Sequence, residues 1–159
     1  MISYLIWFVS SAIGTCLFSF TMHAPRRAIL PNSILAGTAY TVFMLISNQL
    51  HSEPTAYFLA TMLVAVGSEL LATLRKMPAM IFLFPSVVPM VPGIGIYRTM
   101  LYLIQKKYEA FLDTGTQTLI ALGAMAVAIA LTNEIARRVH SSARQRMQSA
   151  SKQEGEHPL

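Results

Sequence analysis

The chain has 159 residues and a net charge of +5, with 12% charged and 54% apolar residues. Soluble domains carry about twice that charged share, and here the charges are clustered: residues 1–25, 28–52, 77–97 and 114–133 have none. Several uncharged, mostly apolar stretches of at least about 18 residues in one short chain define a polytopic membrane protein. They exclude a soluble enzyme, a secreted disulfide scaffold and a free nucleic-acid binder.

The first span is expected over about 2–22. It does not read as a cleaved signal, because no basic side chain precedes the apolar run and Arg26 and Arg27 follow it. Cys16, the single cysteine, lies inside this run and reads as a packed thiol. The second span is expected over 28–50 and the third over 54–74, behind Glu53 and Pro54 and ahead of Arg75 and Lys76. The last is expected over 114–133. All four must be helices, since lipid offers no partners for open backbone groups.

The stretch 77–105, MPAMIFLFPSVVPMVPGIGIYRTMLYLIQ, is different. Pro85, Pro89 and Pro92 each remove a backbone donor, and Gly93 and Gly95 follow at once. The stretch is apolar enough for the membrane and too broken for a plain helix. It reads as a discontinuous helix that crosses once, or as a re-entrant piece followed by a short helix. Basic residues decide between the two. With a crossing, Arg26, Arg27, Arg75, Lys76, Arg137, Arg138, Arg144, Arg146 and Lys152 share the inner side, and only Lys106 and Lys107 lie outside. Without it, the five tail bases move out and the asymmetry vanishes.

The expected fold is therefore all-α, a bundle of about five transmembrane segments over 1–133, N-terminus outside and C-terminus cytoplasmic. A polar basic tail over 134–159 follows, disordered or helical only near the last span.

Few residues are placed for chemistry. Glu69 is the one acid well inside a span, on a small polar face with Thr61, Ala65 and Ser68. It is a functional-site candidate by its cost in lipid, or an edge residue within reach of Arg75. Arg98 is the one base inside an apolar segment and suits a carboxylate, or a structural anchor. The proline–glycine run is the most specific signal, because transporters place substrate at broken helices. Polar stripes at Ser11, Thr15 and Ser19, and at Ser33, Gly37, Thr41 and Asn48, read chiefly as packing, as do the alanines around Gly123. His23, His51, His140 and His157 lie in loops or tail without metal-ligand spacing. No catalytic constellation, metal site or cofactor motif is present in the sequence.

The run PSVVPMVPGIGIYRTML, with P-x-x-x-P-M-x-P-G and a tyrosine close behind, resembles the C-terminal half of the threonine/serine exporter family. The chain is most similar to the small separate subunit of two-component members, over roughly 20–133. That span includes PRRAILPNSILAG and RKMPAMIF. The resemblance implies export of small hydrophilic metabolites across the bacterial inner membrane, with a larger membrane subunit as partner. The cargo would be threonine or serine, or in a similar two-part system succinate. It carries over Pro85, Pro89, Pro92, Gly93 and Tyr97 as motif positions; Gly95 and Arg98 stand outside that set. The substrate path is accordingly expected at Pro85, Pro89, Pro92, Gly93, Gly95, Tyr97 and Arg98, with Glu69 as a possible proton carrier. The alternative is a structural subunit that never touches cargo.

Overall fold

The computed structural model describes residues 2–50 and 53–154, with side chains over 3–49 and 53–138. Among these residues there are six α-helices and no strand. They are α1 (Ile2–Thr21), α2 (Arg26–Leu50), α3 (Glu53–Arg75), α4 (Met80–Val87), α5 (Gly93–Ile104) and α6 (Tyr108–Glu154), with a 3-10 turn at Val88–Met90. Four of the helices are long and apolar enough to cross a membrane. The bent pair Met80–Met90 and Gly93–Ile104 raises that to five if it counts as one span. His51 and His157 fall outside the described residues.

Three helices stop the same way. His23, Lys76 and Lys106 have φ of 54°, 53° and 57°. The next amide then reaches back five residues, Ala24 N to Ser19 O, Met77 N to Ala72 O and Lys107 N to Tyr102 O. This left-handed cap satisfies the last carbonyls and turns the chain sharply.

The helices pack in the order α1–α2–α3–α6–α5, and α4 sits among α1, α2 and α3. Ser11 Oγ donates to Ala36 O at 3.1 Å, which sets α1 antiparallel against α2 and puts Thr15 level with Asn32. A Cβ on Gly95 would lie 2.5 Å from Thr118 Oγ1, and one on Gly115 would lie 3.2 Å from Thr99 Cγ2. These two crossings make α5 and α6 antiparallel and close, and Gly95 is needed for the approach.

Two prolines inside helices explain two long-range bonds. A proline at position i leaves the carbonyl at i−4 without its helical donor. For Pro31 that is Arg27 O, which accepts from Arg75 Nη1 at 3.0 Å. For Pro85 it is Ile81 O, which accepts from Asn32 Nδ2 at 3.1 Å. Ser86 Oγ donates in return to Asn32 O at 3.3 Å. The missing donors are thus supplied from the neighbouring helices, and α2, α3 and α4 are tied together at the end that carries Arg26, Arg27, Arg75 and Lys76.

The break in 77–105 follows its prolines. Pro85 is tolerated inside α4, Pro89 opens the 3-10 turn, and Pro92 caps α5 after an extended Val91 (φ −57°, ψ 128°). The axis bends by 54° across this break. α4 starts beside the Arg27–Arg75 tie, and α5 runs antiparallel to α6.

The tail departs from expectation. The helix begins at Tyr108 and continues without a break to Glu154, 47 residues in all. A helix already nucleated extends at small cost per residue, and the tail has several Ala, Arg and Gln residues, which propagate it well. The lack of an apolar face was therefore no sign of coil.

Candidate functional site

The break opens into a cavity of about 380 Å³. Pro89–Gly95 and Arg98 form one wall, Tyr40, Phe43 and Met44 of α2 a second, Glu53 and Tyr57 of α3 a third, and Thr114, Gln117, Thr118 and Ala121 of α6 the last. The aromatic side is rigid: Tyr40 and Phe43 lie 6.1 Å apart, and Phe43 and Tyr57 4.5 Å apart, centroid to centroid. Phe43 and Met90 belong to the apolar core that continues to Ala56, Ala60, Val64, Ala65, Leu83 and Met125. That core floors the cavity.

The polar groups are few and specifically placed. Arg98 and Glu53 both line the cavity and both are exposed, and neither forms an ion pair among the described residues. Gln117 Nε2 donates to Asp113 Oδ1 at 3.2 Å, which leaves its carbonyl oxygen open. Thr118 Oγ1 is occupied, donating to Thr114 O at 2.7 Å. At the break itself, Val91 N donates to Val88 O at 3.2 Å and Gly93 N to Val91 O at 2.7 Å. The first amide to reach back into the helix is Ile96 N, to Pro92 O at 3.1 Å. The amides of Ile94 and Gly95 belong to the first turn, where no helical carbonyl precedes them, and both residues line the cavity. The positive end of α5 is therefore directed at it. A Cβ on Gly93 would meet nothing within 4 Å, so the cavity is open at that point.

The sequence candidates separate in space. Pro89, Pro92, Gly93, Gly95 and Arg98 come together at the cavity. Pro85 is buried inside α4, one turn before it, and acts through the Asn32 bond. Tyr97 lies on the outer face of α5, 66% exposed and away from the cavity. Glu69 is half-buried near the other end of α3, about 24 Å along the helix from Glu53 at 1.5 Å per residue. It is not part of this site. Glu53, Tyr40, Tyr57, Thr114 and Gln117 were not anticipated. In the sequence Glu53 reads only as the border of a span. A usable signal did exist for α6: Asp113, Thr114, Gln117 and Thr118 form an i, i+4 polar stripe in an otherwise apolar segment.

Among the described residues no group of three or more His, Cys, Asp or Glu side chains could hold a metal ion. Nor does the cavity present a nucleophile beside a base. What it offers is one cation, one anion, helix-end amides and an aromatic wall, at a break inside a multi-pass helical bundle. Transporters place their substrate sites at helix breaks of this kind.

Comparison with known proteins gives the class its name. The family model "Threonine/Serine exporter, ThrE" matches residues 7–135, and the chain belongs to that family. No curated protein and no solved structure matches it. The chain is thus a multi-pass membrane protein of an exporter family.

Proposed function

We propose that the cavity at the helix break binds an amino acid as its zwitterion, and that the chain is the small subunit of a two-component exporter. Arg98 and the α5 N-terminus face the carboxylate, and Glu53 faces the ammonium. The open carbonyl of Gln117 supplies a hydrogen-bond acceptor for a side-chain hydroxyl. The observation that carries this reading is one acid and one base, neither in an ion pair among the described residues, in one cavity with the positive end of a helix. A dicarboxylate would set its second negative group against Glu53, so threonine or serine fits better than succinate.

The need for a partner is supported by α5. It packs against α6, buries no residue of its own, and presents Ile94, Tyr97, Met100 and Ile104 outward. A larger subunit of the same family, seated against this face, would close the open side of the cavity and leave Arg98 away from lipid. In the bacterial inner membrane the basic ends of α2, α3 and α6 would face the cytoplasm, with the N-terminus outside. The α4–α5 pair would then be the fourth of five crossings.

Efflux from cells preloaded with labelled threonine or labelled succinate tests this. The chain is expressed alone, and then with a larger family subunit. Threonine leaving fast only when both chains are present is the expected result. Equal efflux with the larger subunit alone would make this chain a structural accessory, and faster succinate efflux would defeat the zwitterion assignment.

A further inference from the structure

Below the cavity, toward the end marked by Arg27 and Arg75, the interior turns polar without turning charged. Thr15 and Ser19 of α1, Asn32 of α2, and Thr61 and Ser68 of α3 are buried to within 1% of complete. The side-chain oxygens Thr15 Oγ1, Ser19 Oγ, Asn32 Oδ1, Thr61 Oγ1 and Ser68 Oγ have no hydrogen-bond partner among the described residues. Hydroxyls elsewhere behave differently. Those of Ser33, Thr41, Thr73, Thr99, Thr118 and Thr132 each donate to the carbonyl four residues back. The unpartnered set is confined to the three helices that surround α4.

The order along the helices is the same on both sides for Asn32 and Ser68. On α2 the cavity residues are Tyr40, Phe43 and Met44, the apolar layer has Ala39, and the polar level is Asn32. On α3 the cavity has Glu53 and Tyr57, and the apolar layer has Val64 and Ala65. Thr61 lies between Tyr57 and that layer, and Ser68 lies past it. An apolar layer that includes Val64, Leu83 and Met90 thus separates an open cavity from a closed polar seam. Buried oxygens without partners are costly and are replaced by apolar groups where nothing requires them. In a chain that must expose its cargo to each side in turn, they mark a surface that is wet in another state.

We propose that Thr15, Ser19, Asn32 and Ser68 line the second half of the substrate route, with Thr61 at the apolar layer that closes it. It is closed here, and it takes water and the polar groups of the amino acid when the apolar layer parts. This rests on the cavity being the first half of that route. The structure is then the state open at the Glu53 end and shut at the Arg75 end.

The test uses near-isosteric variants in cells expressing both subunits. Thr61→Val and Thr15→Val remove an unpartnered hydroxyl at constant size. If the seam is only packing, both variants insert at least as well as the parent and export at the parent rate. The proposal expects normal insertion with export lowered about fivefold or more, the effect of one lost hydrogen bond. Thr132→Val, which removes a buried hydroxyl that has its partner, serves as the control and keeps the parent rate.

A second measurement reads water directly. In a Cys16→Ser background, Ser68→Cys is challenged in membrane vesicles with a cationic methanethiosulfonate from each face, with and without threonine. Reaction from the Arg75 face, faster than at the lipid-facing control Leu17→Cys, is expected. Inertness from both faces, or parental export by both valine variants, overturns the proposal. If Arg98→Ala exports normally while Ser68→Cys still reacts, the amino-acid site is lost and the seam stands.

Discussion

Arg98→Ala is expected to lower export by roughly 10–100-fold, the effect of losing one charge-assisted hydrogen bond to a substrate carboxylate. Protein level should not change, because Arg98 is exposed and forms no ion pair among the described residues. Arg98→Lys should recover part of the loss: it keeps the charge and loses the planar two-point contact. Glu53→Gln should weaken threonine export by a comparable factor, since it removes the acid that lines the cavity among the described residues. Initial efflux rates at several internal threonine concentrations separate the two possible origins. A rise in the half-saturating concentration is expected of a binding residue. A fall in membrane-inserted protein with an unchanged rate per molecule would instead assign Arg98 to anchoring α5.

The largest expected effect on stability is at Asn32. Its amide supplies the donor that Pro85 withholds from Ile81 O, and Ser86 Oγ in turn donates to Asn32 O. Asn32→Ala leaves a carbonyl unsatisfied in a dry interior, at a cost of about 1–3 kcal/mol. Pro85→Ala restores the helical donor within α4. Asn32→Ala should therefore cost about 1 kcal/mol less in a Pro85→Ala background than in the parent. Thermal unfolding of the purified protein in detergent, carried out as a double-mutant cycle, reads the difference. Strict additivity of the two substitutions would show that the two residues do not share this bond. The same logic applies to Arg75, Arg27 and Pro31, with a smaller effect because that tie is exposed to solvent.

The contrast between Pro85 and Asn32 shows where the sequence was informative. A proline in an apolar run announces that one carbonyl loses its donor, and its position is read directly. Which side chain answers depends on the packing of α2 against α4, 49 residues apart, and no local pattern encodes that. The spans α1, α2 and α3 were legible because lipid imposes length and apolarity on each helix separately. The break was legible from Pro85, Pro89, Pro92 and the two glycines. The cavity was legible on one wall only. Its other walls come from Tyr40, Glu53, Tyr57 and Gln117, which are brought together by three helix–helix contacts.

The charged candidates show the same limit. Glu69 drew attention because it interrupts a hydrophobic span, yet it stands far from the cavity. Glu53 reads as an ordinary boundary charge in the sequence, yet it lines the same cavity as Arg98. Hydropathy reports the cost of burying a charge and nothing about what lies opposite. The segment after Glu134 marks another boundary. Absence of an apolar stripe argues against packing, and it does not argue against a helix continued from an existing one.

On the proposed reading one cavity reads both ends of an amino acid, with Arg98 on the carboxylate and Glu53 on the ammonium. The most direct measurement is competition during labelled threonine efflux from proteoliposomes containing both subunits. The competitors are unlabelled threonine and the same hydroxy acid lacking its amino group. The parent protein is expected to prefer threonine strongly, and Glu53→Gln is expected to lose most of that preference while Arg98→Ala weakens both competitors alike. An unchanged preference in Glu53→Gln would contradict the account, because the ammonium would then be recognised elsewhere.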